Sequence, residues 1–535
     1  MTESGVSAHI DTFTRDRLPP SDQWPDLLWD LPDLQYPAQL NASVELLDGA
    51  IAAGRGDHRA VIADDGTWTY SELGDDVCSV ASLLRDLGVQ PGNRVLLRGP
   101  NNGRLVISWL AALRVGAVVV TTIPLLRTSE LQALVDISRP SVALVDHRFL
   151  EDWNATDFAG STLTYGDGTA ESMEVRARSA VSTSEPSATA ASDTALLAFT
   201  SGTTGKPKAT MHAHRDILAI ADTFSAHIVK PTADDIFSGS PPLAFTFGLG
   251  GLVVFPMRVG ATTVLLEAGS PPNVLKAIAE HRISCLFTAP TAYRAMLPTI
   301  ADFDVSCLRR CISAGETLPA ATWQAWTDAT GVPLIDGIGA TEMLHIFISA
   351  SDDDIRPGFT GRVVPGYEAQ VVDEHMQPVA PGSPGRLAVR GPTGCRYLDD
   401  ERQSVYVDSG WNLTGDIYIM DEDGYFQYVA RADDMIVSSG YNIAAPEVEN
   451  ALLTHSAVAE VAVVGTPDDD RGMVVTAYVV LTPETSPSDD LRRELQDHVK
   501  ASIAPYKYPR ILEFAEALPK TATGKLQRFR LKKQG

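Results

Sequence analysis

The apolar run Ala195-Leu-Leu-Ala-Phe199 feeds directly into Thr200-Ser-Gly-Thr-Thr-Gly-Lys-Pro-Lys208. A short apolar run that stops at glycine-punctuated polar residues constrains the chain to a buried strand opening into a loop. The nine residues carry four hydroxyls, two glycines and two lysines. Glycine lets backbone approach a ligand closely, and hydroxyls and amide N–H groups can donate to phosphate oxygens. The stretch therefore reads as a polyphosphate-handling loop after a strand. It is not Gly-x-x-x-x-Gly-Lys-Ser/Thr, because Thr200 stands five before Gly205 and Pro207 follows Lys206. On these residues alone, an ordinary Ser/Thr/Gly surface turn is the alternative.

The surrounding pattern alternates. Arg59 to Trp68 predicts a hairpin around Asp-Gly, and a helix from Ser71 closes at Gly88. Arg94–Arg98 predicts a strand, Gly103–Val115 a helix and Val118–Ile123 a strand. Further strands are expected at Ser284–Thr288, Leu308–Ser313 and Leu334–Gly337. Strands alternating with helices predict an α/β fold with parallel sheets. From Val371 the pattern changes to short strands with Pro-Gly and Asp-Gly turns, as in an antiparallel or barrel-like piece. After Arg431 a compact α+β unit of roughly a hundred residues begins. The boundary is expected between residues 1–432 and 433–535.

A chain of 535 residues exceeds what one core supports. Its 68 acidic against 43 basic residues give a formal charge of -25, which disfavours nucleic acid and anionic membrane surfaces. An anionic substrate then needs a local cluster of positive groups. The five cysteines lack paired zinc spacing and read as buried thiols in a reducing cytoplasm. No signal peptide is expected at the N-terminus. The uncharged run Ile236–Met257 contains prolines and glycines, and predicts a buried strand-and-turn region rather than a membrane helix.

Four other segments share the chemistry of the first. Ser313-Ala314-Gly315-Glu316 follows a strand, and its small residues let a flat ring lie against the backbone. Asp336-Gly337-Ile338-Gly339-Ala340-Thr341-Glu342 also follows a strand; its glycines open a slot, Thr341 can donate to a phosphate, and Glu342 can hold a magnesium ion. Trp411 to Asp416 places a carboxylate at a strand end, suited to accept both hydroxyls of a ribose. Pro519 to Lys525 puts a lysine on a Gly-containing loop. Singly, these are an ordinary turn, a helix start and a basic tail (Arg528, Arg530, Lys532, Lys533) on a solvated surface.

In this order the motifs resemble the adenylate-forming superfamily of acyl- and aryl-CoA synthetases, luciferase-like enzymes and peptide-synthetase adenylation domains, from about Asp48 to Leu531. Gly337 to Phe347 and Ser438 to Ile443 look like the benzoate-CoA ligase branch. Asp11 to Pro20 and Pro241 to Gly250 are similar to 2-aminobenzoate-CoA ligases, with salicylate-CoA ligases as near neighbours. The resemblance implies a large AMP-binding domain and a small mobile C-terminal lid, with ATP, Mg2+ and coenzyme A taking part. It implies that Thr200, Ser201, Gly202, Thr203, Thr204, Gly205 and Lys206 hold the β- and γ-phosphates. Gly315, Glu316, Asp336, Gly337, Ile338 and Gly339 complete the ATP site. Thr341 would bind the α-phosphate, Glu342 the magnesium, and Asp416 with Arg431 the ribose. Lys525 would bridge carboxylate and phosphate, and Asp433 would be the hinge. Ser439, Gly440 and Tyr441 would line the CoA tunnel. Phe247, Ala314, Gly315, Gly339 and His345 fall where the family's aryl ring binds. His345 reads either as a packing residue or as a contact to an ortho substituent.

The activity this implies is formation of an aryl-adenylate and then an aryl-CoA thioester by a cytoplasmic monomer or homodimer. Two alternatives stand beside it. One is a stand-alone adenylation enzyme that loads a carrier protein. The other is a nucleotide sensor without catalysis, disfavoured by the intact Lys525, Glu342 and Asp416.

Overall fold

The computed structural model describes residues 6–201, 207–438, 441–468, 472–520 and 526–532, without the side chains of Ser201, Asp433, Val437, Tyr441, Asn442 and Phe529. The expectations on Gly202, Thr203, Thr204, Gly205, Lys206, Ser439, Gly440 and Lys525 lie outside the described residues. So do those on the side chains of Ser201, Asp433 and Tyr441.

The chain divides into two compact units. One comprises Met1–Leu318, Thr322–Ala369 and Val389–Asn412; the other comprises Pro319–Ala321, Gln370–Ala388 and Leu413–Gly535. The first unit holds two large sheets. In one, the strands run in the order Ser161–Tyr165, Val142–Asp146, Arg94–Arg98, Val118–Thr122, Thr194–Ser201 and Pro207–Ala213. All neighbours there are parallel except the last pair. Every residue of Arg94–Arg98, Val118–Thr122 and Val142–Asp146 is buried, as in a parallel sheet covered on both faces.

The second sheet has the parallel core Leu334–Gly339, Arg310–Ser313, Cys285–Thr288, Ile236–Gly239, Thr262–Val264 and Arg59–Ala63, with antiparallel strands at its two edges. The α/β architecture expected from the alternation is therefore present. So is the antiparallel piece after Val371: Pro384–Arg390, Trp411–Met420, Phe426–Arg431 and two further strands form a five-stranded sheet.

Local chemistry sets the element ends. The helix Tyr70–Asp86 begins one residue before the expected Ser71 because Thr69 and Glu72 form a capping box. Ile236–Met257 departs further from expectation. After the strand Ile236–Gly239 the chain is helical from Thr246 to Val259, widened to a π-turn over Gly250–Val254. Pro256 has no N–H to close a regular turn, and the wide turn lies just ahead of it. Among the described residues no helix is long and apolar enough to cross a membrane. Of the cysteines, Cys285, Cys311 and Cys395 are buried as expected, while Cys78 and Cys307 are only partly so.

In the second unit, the helices Ala445–Leu453 and Asp489–Ser502 pack on the strands Val458–Asp468, Gly472–Leu481 and Ile511–Phe514 around Val448, Leu452, Val463, Val475, Val479 and Leu495. The basic tail is not simply a solvated surface. Arg528 grips Glu449 through two nitrogens at 2.5 and 3.0 Å, and the Lys532 ammonium lies 3.1 Å from Asp434.

Candidate active site

The strand Pro207–Ala213 pairs antiparallel with Thr194–Ser201, with Thr200 opposite Lys208 and Ser201 opposite Pro207. Lys208 is thus a strand residue rather than part of a loop. Side chains alternate along a strand, so Lys208, Thr210 and His212 share one face. Arg396 to Leu398 lie alongside: Met211 N–H donates to the Arg396 carbonyl and Leu398 N–H to that of Ala209.

That face meets Glu342. The Lys208 ammonium is 3.0 Å from Glu342 Oε1 and also donates to the Tyr397 hydroxyl. It sits over the rings of Tyr397 and Tyr406, 4.4 and 5.4 Å from their centres. Tyr397 donates to the same Oε1 at 2.5 Å. Burial alone would raise the Glu342 pKa, but Lys208 and Tyr397 together hold it below the ordinary glutamate value. The carboxylate is therefore kept charged although nearly buried.

Thr341–Met343 form a single tight turn, left through Leu344 at φ +65°. A leucine at positive φ is strained and persists only where its surroundings fix it. His212 is fully buried, and its Nε2 lies 2.8 Å from the Thr341 carbonyl. Burial lowers its pKa to about 4, so the ring is neutral and carries its proton on Nε2 to donate there. Thr393 donates to the Met343 carbonyl at 2.7 Å.

Asp336 and Gly337 were expected at the end of a strand, with Ile338 and Gly339 just beyond it. They lie within the strand Leu334–Gly339, because Ile346–Ser349 folds back antiparallel onto it. A Cβ on Gly337 would come within 2.7 Å of the Ile346 side chain, and one on Gly339 within 2.7 Å of the His345 carbonyl. The glycines admit this close return of the chain. Asp336 Oδ1 is buried without a hydrogen-bond partner, and burial lifts its pKa to about 7. Across the end of the neighbouring strand, Ala314 is buried and Gly315 is at φ +88°. Glu316 accepts from the N–H and hydroxyl of Thr291 at 3.3 and 3.4 Å.

His345 is 2% exposed and enclosed by aromatic rings: Phe255, Phe224 and Phe247 have centres 4.7, 5.2 and 5.7 Å from the imidazole. Phe287 packs on Phe247 at 5.7 Å. Gly250 lets the ring lie against the helix, since a Cβ there would be 2.4 Å from it. Neither imidazole nitrogen has a hydrogen-bond partner. Burial lowers its pKa to about 3, the Phe247 backbone opposing only in part, so the ring is uncharged. Phe247 is half-buried at the edge of this enclosure.

In the second unit, Asp416 stands opposite Arg431 in the pairing of Trp411–Met420 with Phe426–Arg431. It lies inside the strand rather than at its end. Its Oδ1 accepts from Arg431 at 3.2 Å, and Arg431 also donates to the Thr414 carbonyl at 3.1 Å. Gly415, at φ +80°, leaves room for the guanidinium, which would be 2.8 Å from a Cβ.

The donor set suits a magnesium ion that keeps waters and phosphate oxygens among its ligands. Such an ion needs one or two carboxylates, and Glu342 is one held ionised. Among the described residues no group of three or more His, Cys, Asp or Glu could cage a metal. Tyr397, His212, Thr393, Phe224, Phe255 and Phe287 were not anticipated from sequence. The alternation Lys208-x-Thr210-x-His212 was the one local signal available for any of them.

The model of the AMP-binding enzyme family matches residues 50–396, and that of the AMP-binding enzyme C-terminal domain matches 447–525. A benzoate–CoA ligase of Thauera aromatica is 35% identical over 512 residues, covering 94% of this chain and 97% of the relative. A 3-hydroxybenzoate–CoA ligase of Aromatoleum sp. (strain CIB) is 34% identical, covering 92% and 96%. The crystal structure of the anthranilate CoA ligase AuaEII in complex with anthranoyl-AMP superposes with a TM-score of 0.89 at 34% identity, over 94% of this chain and 99% of that one. A benzoate CoA ligase from Burkholderia xenovorans LB400 gives 0.85 at 33%, over 92% and 100%.

Proposed function

The chain belongs to the AMP-binding enzyme family, and from that premise we propose that it is an ATP-dependent aryl-carboxylate–CoA ligase acting on an ortho-substituted benzoate. The observation that carries the reading is the enclosure of uncharged His345 by Phe224, Phe247 and Phe255, a few residues from the Thr341-Glu342 turn. Such walls take a flat apolar ring. A neutral imidazole has one donor and one acceptor, and beyond the Phe247 backbone nothing in the enclosure competes for them. A 2-amino or 2-hydroxy group beside the carboxylate would use either, which favours 2-aminobenzoate or salicylate over benzoate.

In the first step a carboxylate oxygen of the acid attacks the α-phosphorus of ATP, and the bond to the β-phosphate oxygen breaks with release of pyrophosphate. The chain must hold two anions in line. Thr200 to Lys206 hold the β- and γ-phosphates, Thr341 donates to the α-phosphate, and Lys525 bridges carboxylate and phosphate. Asp336 to Gly339, with Gly315 and Glu316, frame the adenine. Asp416, oriented by Arg431, accepts from the ribose hydroxyls. Glu342 would hold magnesium, which when bound neutralises phosphate charge. In the second step the CoA thiolate attacks the acyl carbonyl and AMP leaves. Residues 433–535 form the lid that pivots at Asp433 between the steps, and Ser439, Gly440 and Tyr441 line the thiol's path. The reaction needs ATP and CoA together, a requirement the cytoplasm meets.

The test is AMP formation by the purified chain with ATP, Mg2+ and a panel of benzoate, 2-aminobenzoate and salicylate. It is run with CoA and, separately, with a carrier protein. Thioester on CoA supports the reading, and thioester on the carrier alone overturns it. Lys525→Ala should slow pyrophosphate release far more than thioester formation from supplied aryl-adenylate.

A further inference from the structure

We propose that His212 and Thr393 are positioning residues for the Thr341–Glu342 turn, acting with Lys208 and Tyr397 as a four-point clamp. The inference rests on the role given above to Thr341 and Glu342. Two elements supply the clamp, each twice at a spacing of four residues. From the strand Pro207–Ala213, Lys208 holds the Glu342 carboxylate and His212 the Thr341 carbonyl. From the segment paired alongside it, Tyr397 holds the same carboxylate and Thr393 the Met343 carbonyl. All four side chains approach the turn from elements locked together by the backbone bonds of Met211 and Leu398.

The turn needs such a hold. Leu344 at φ +65°, ψ −34° is outside the regions a leucine prefers, and a turn with one such residue relaxes unless its carbonyls are fixed. The Thr341 carbonyl already accepts from Leu344 N–H at 3.1 Å, so His212 supplies its second bond. Thr393 in turn lies 3.1 Å from the Tyr367 hydroxyl, which orients its own. Lys208 and Tyr397 fix the acidic side chain; His212 and Thr393 fix the backbone that carries it and the Thr341 hydroxyl. A displacement of about an ångström at reacting groups costs on the order of a hundredfold in rate.

The experiment compares Thr393→Val and His212→Leu with the retaining changes Thr393→Ser and His212→Gln, whose hydroxyl and amide can still donate. Three quantities are read: pyrophosphate release at saturating ATP, KM for the aromatic acid, and amide hydrogen exchange in nucleotide-free protein. The clamp predicts about a ten- to hundredfold fall in kcat for the two removing variants at little-changed acid KM. It predicts faster exchange confined to residues 340–344, a melting temperature within a few degrees of wild type, and most of the rate recovered in the retaining variants. An unchanged kcat, or faster exchange across the whole sheet with a large drop in melting temperature, overturns it. If wild type itself releases no pyrophosphate, the proposed function fails, while the exchange result still judges whether His212 and Thr393 hold the turn.

Discussion

The Lys208 ammonium and the Glu342 carboxylate stand 3.0 Å apart with side chains only 16% and 9% exposed. Removing one partner of such a pair strands the other charge in low dielectric, whereas removing both does not. Lys208→Met and Glu342→Gln should each destabilise the nucleotide-free protein by about 2–4 kcal/mol, and the double variant by clearly less than the sum. Urea unfolding of the four proteins measures this; simple additivity would show the contact to be energetically idle.

Asp336 and Glu342 titrate in opposite senses. The folded pKa of Asp336 is raised to about 7, above the ordinary carboxylate value of about 4. Its contribution is fully present below that ordinary value and is lost as pH rises through about 7, where the carboxyl becomes charged in a buried site that the Gly337 backbone only partly compensates. Glu342 is lowered, so its contribution is present above its ordinary value and is lost as pH falls through its folded pKa. Asp336→Asn should flatten stability between pH 4 and 7 and leave the acid limb; Glu342→Gln should do the reverse. Unfolding midpoints from pH 3 to 8 separate the two.

Gly250 and His345 are a matched pair, because a Cβ on the glycine would be 2.4 Å from the imidazole. Gly250→Ala should push the ring aside, and His345→Ala should remove it. In both variants the preference for 2-aminobenzoate over benzoate, as a ratio of kcat/KM, should fall about tenfold, the worth of one hydrogen bond of about 1.4 kcal/mol. An equal loss on benzoate, 2-aminobenzoate and salicylate would remove the ortho contact.

Arg528 and Glu449 are 20% and 12% exposed, and Glu449 also accepts from Val463 N–H at 2.7 Å. Arg528→Met would leave that carboxylate buried without its guanidinium. The expected result is a loss of about 3 kcal/mol in the second unit and faster proteolysis there. Arg528→Lys, which keeps the charge but not the fork, should lose less. A melting curve unchanged by Arg528→Met would contradict this.

The strands and helices of the sheets were legible because their signals are local. Arg94–Arg98 is an apolar core between turn residues, and it is a strand over those same residues. The site was legible as motifs but not as geometry. Gly337 and Gly339 read as the opening of a slot, yet what they accommodate is Ile346 and the His345 carbonyl arriving from further along the chain. Asp416 read as a strand end for want of any local mark of its pairing with Arg431. Lys208 read as loop charge because its neighbours are glycines and hydroxyls. Its partners Glu342 and Tyr397 reach it only through the tertiary fold, and nothing in sequence spacing announces them.

The alternation along Pro207–Ala213 makes the length of that strand as exacting as its composition. One residue inserted between Lys208 and His212 would turn either the ammonium or the imidazole to the opposite side of the sheet, so the carboxylate and its supporting carbonyl could not both be reached. Outside Lys208 and His212 this stretch therefore tolerates substitution better than insertion or deletion, and a homologue with a changed residue count here would have to build its acidic turn by other means.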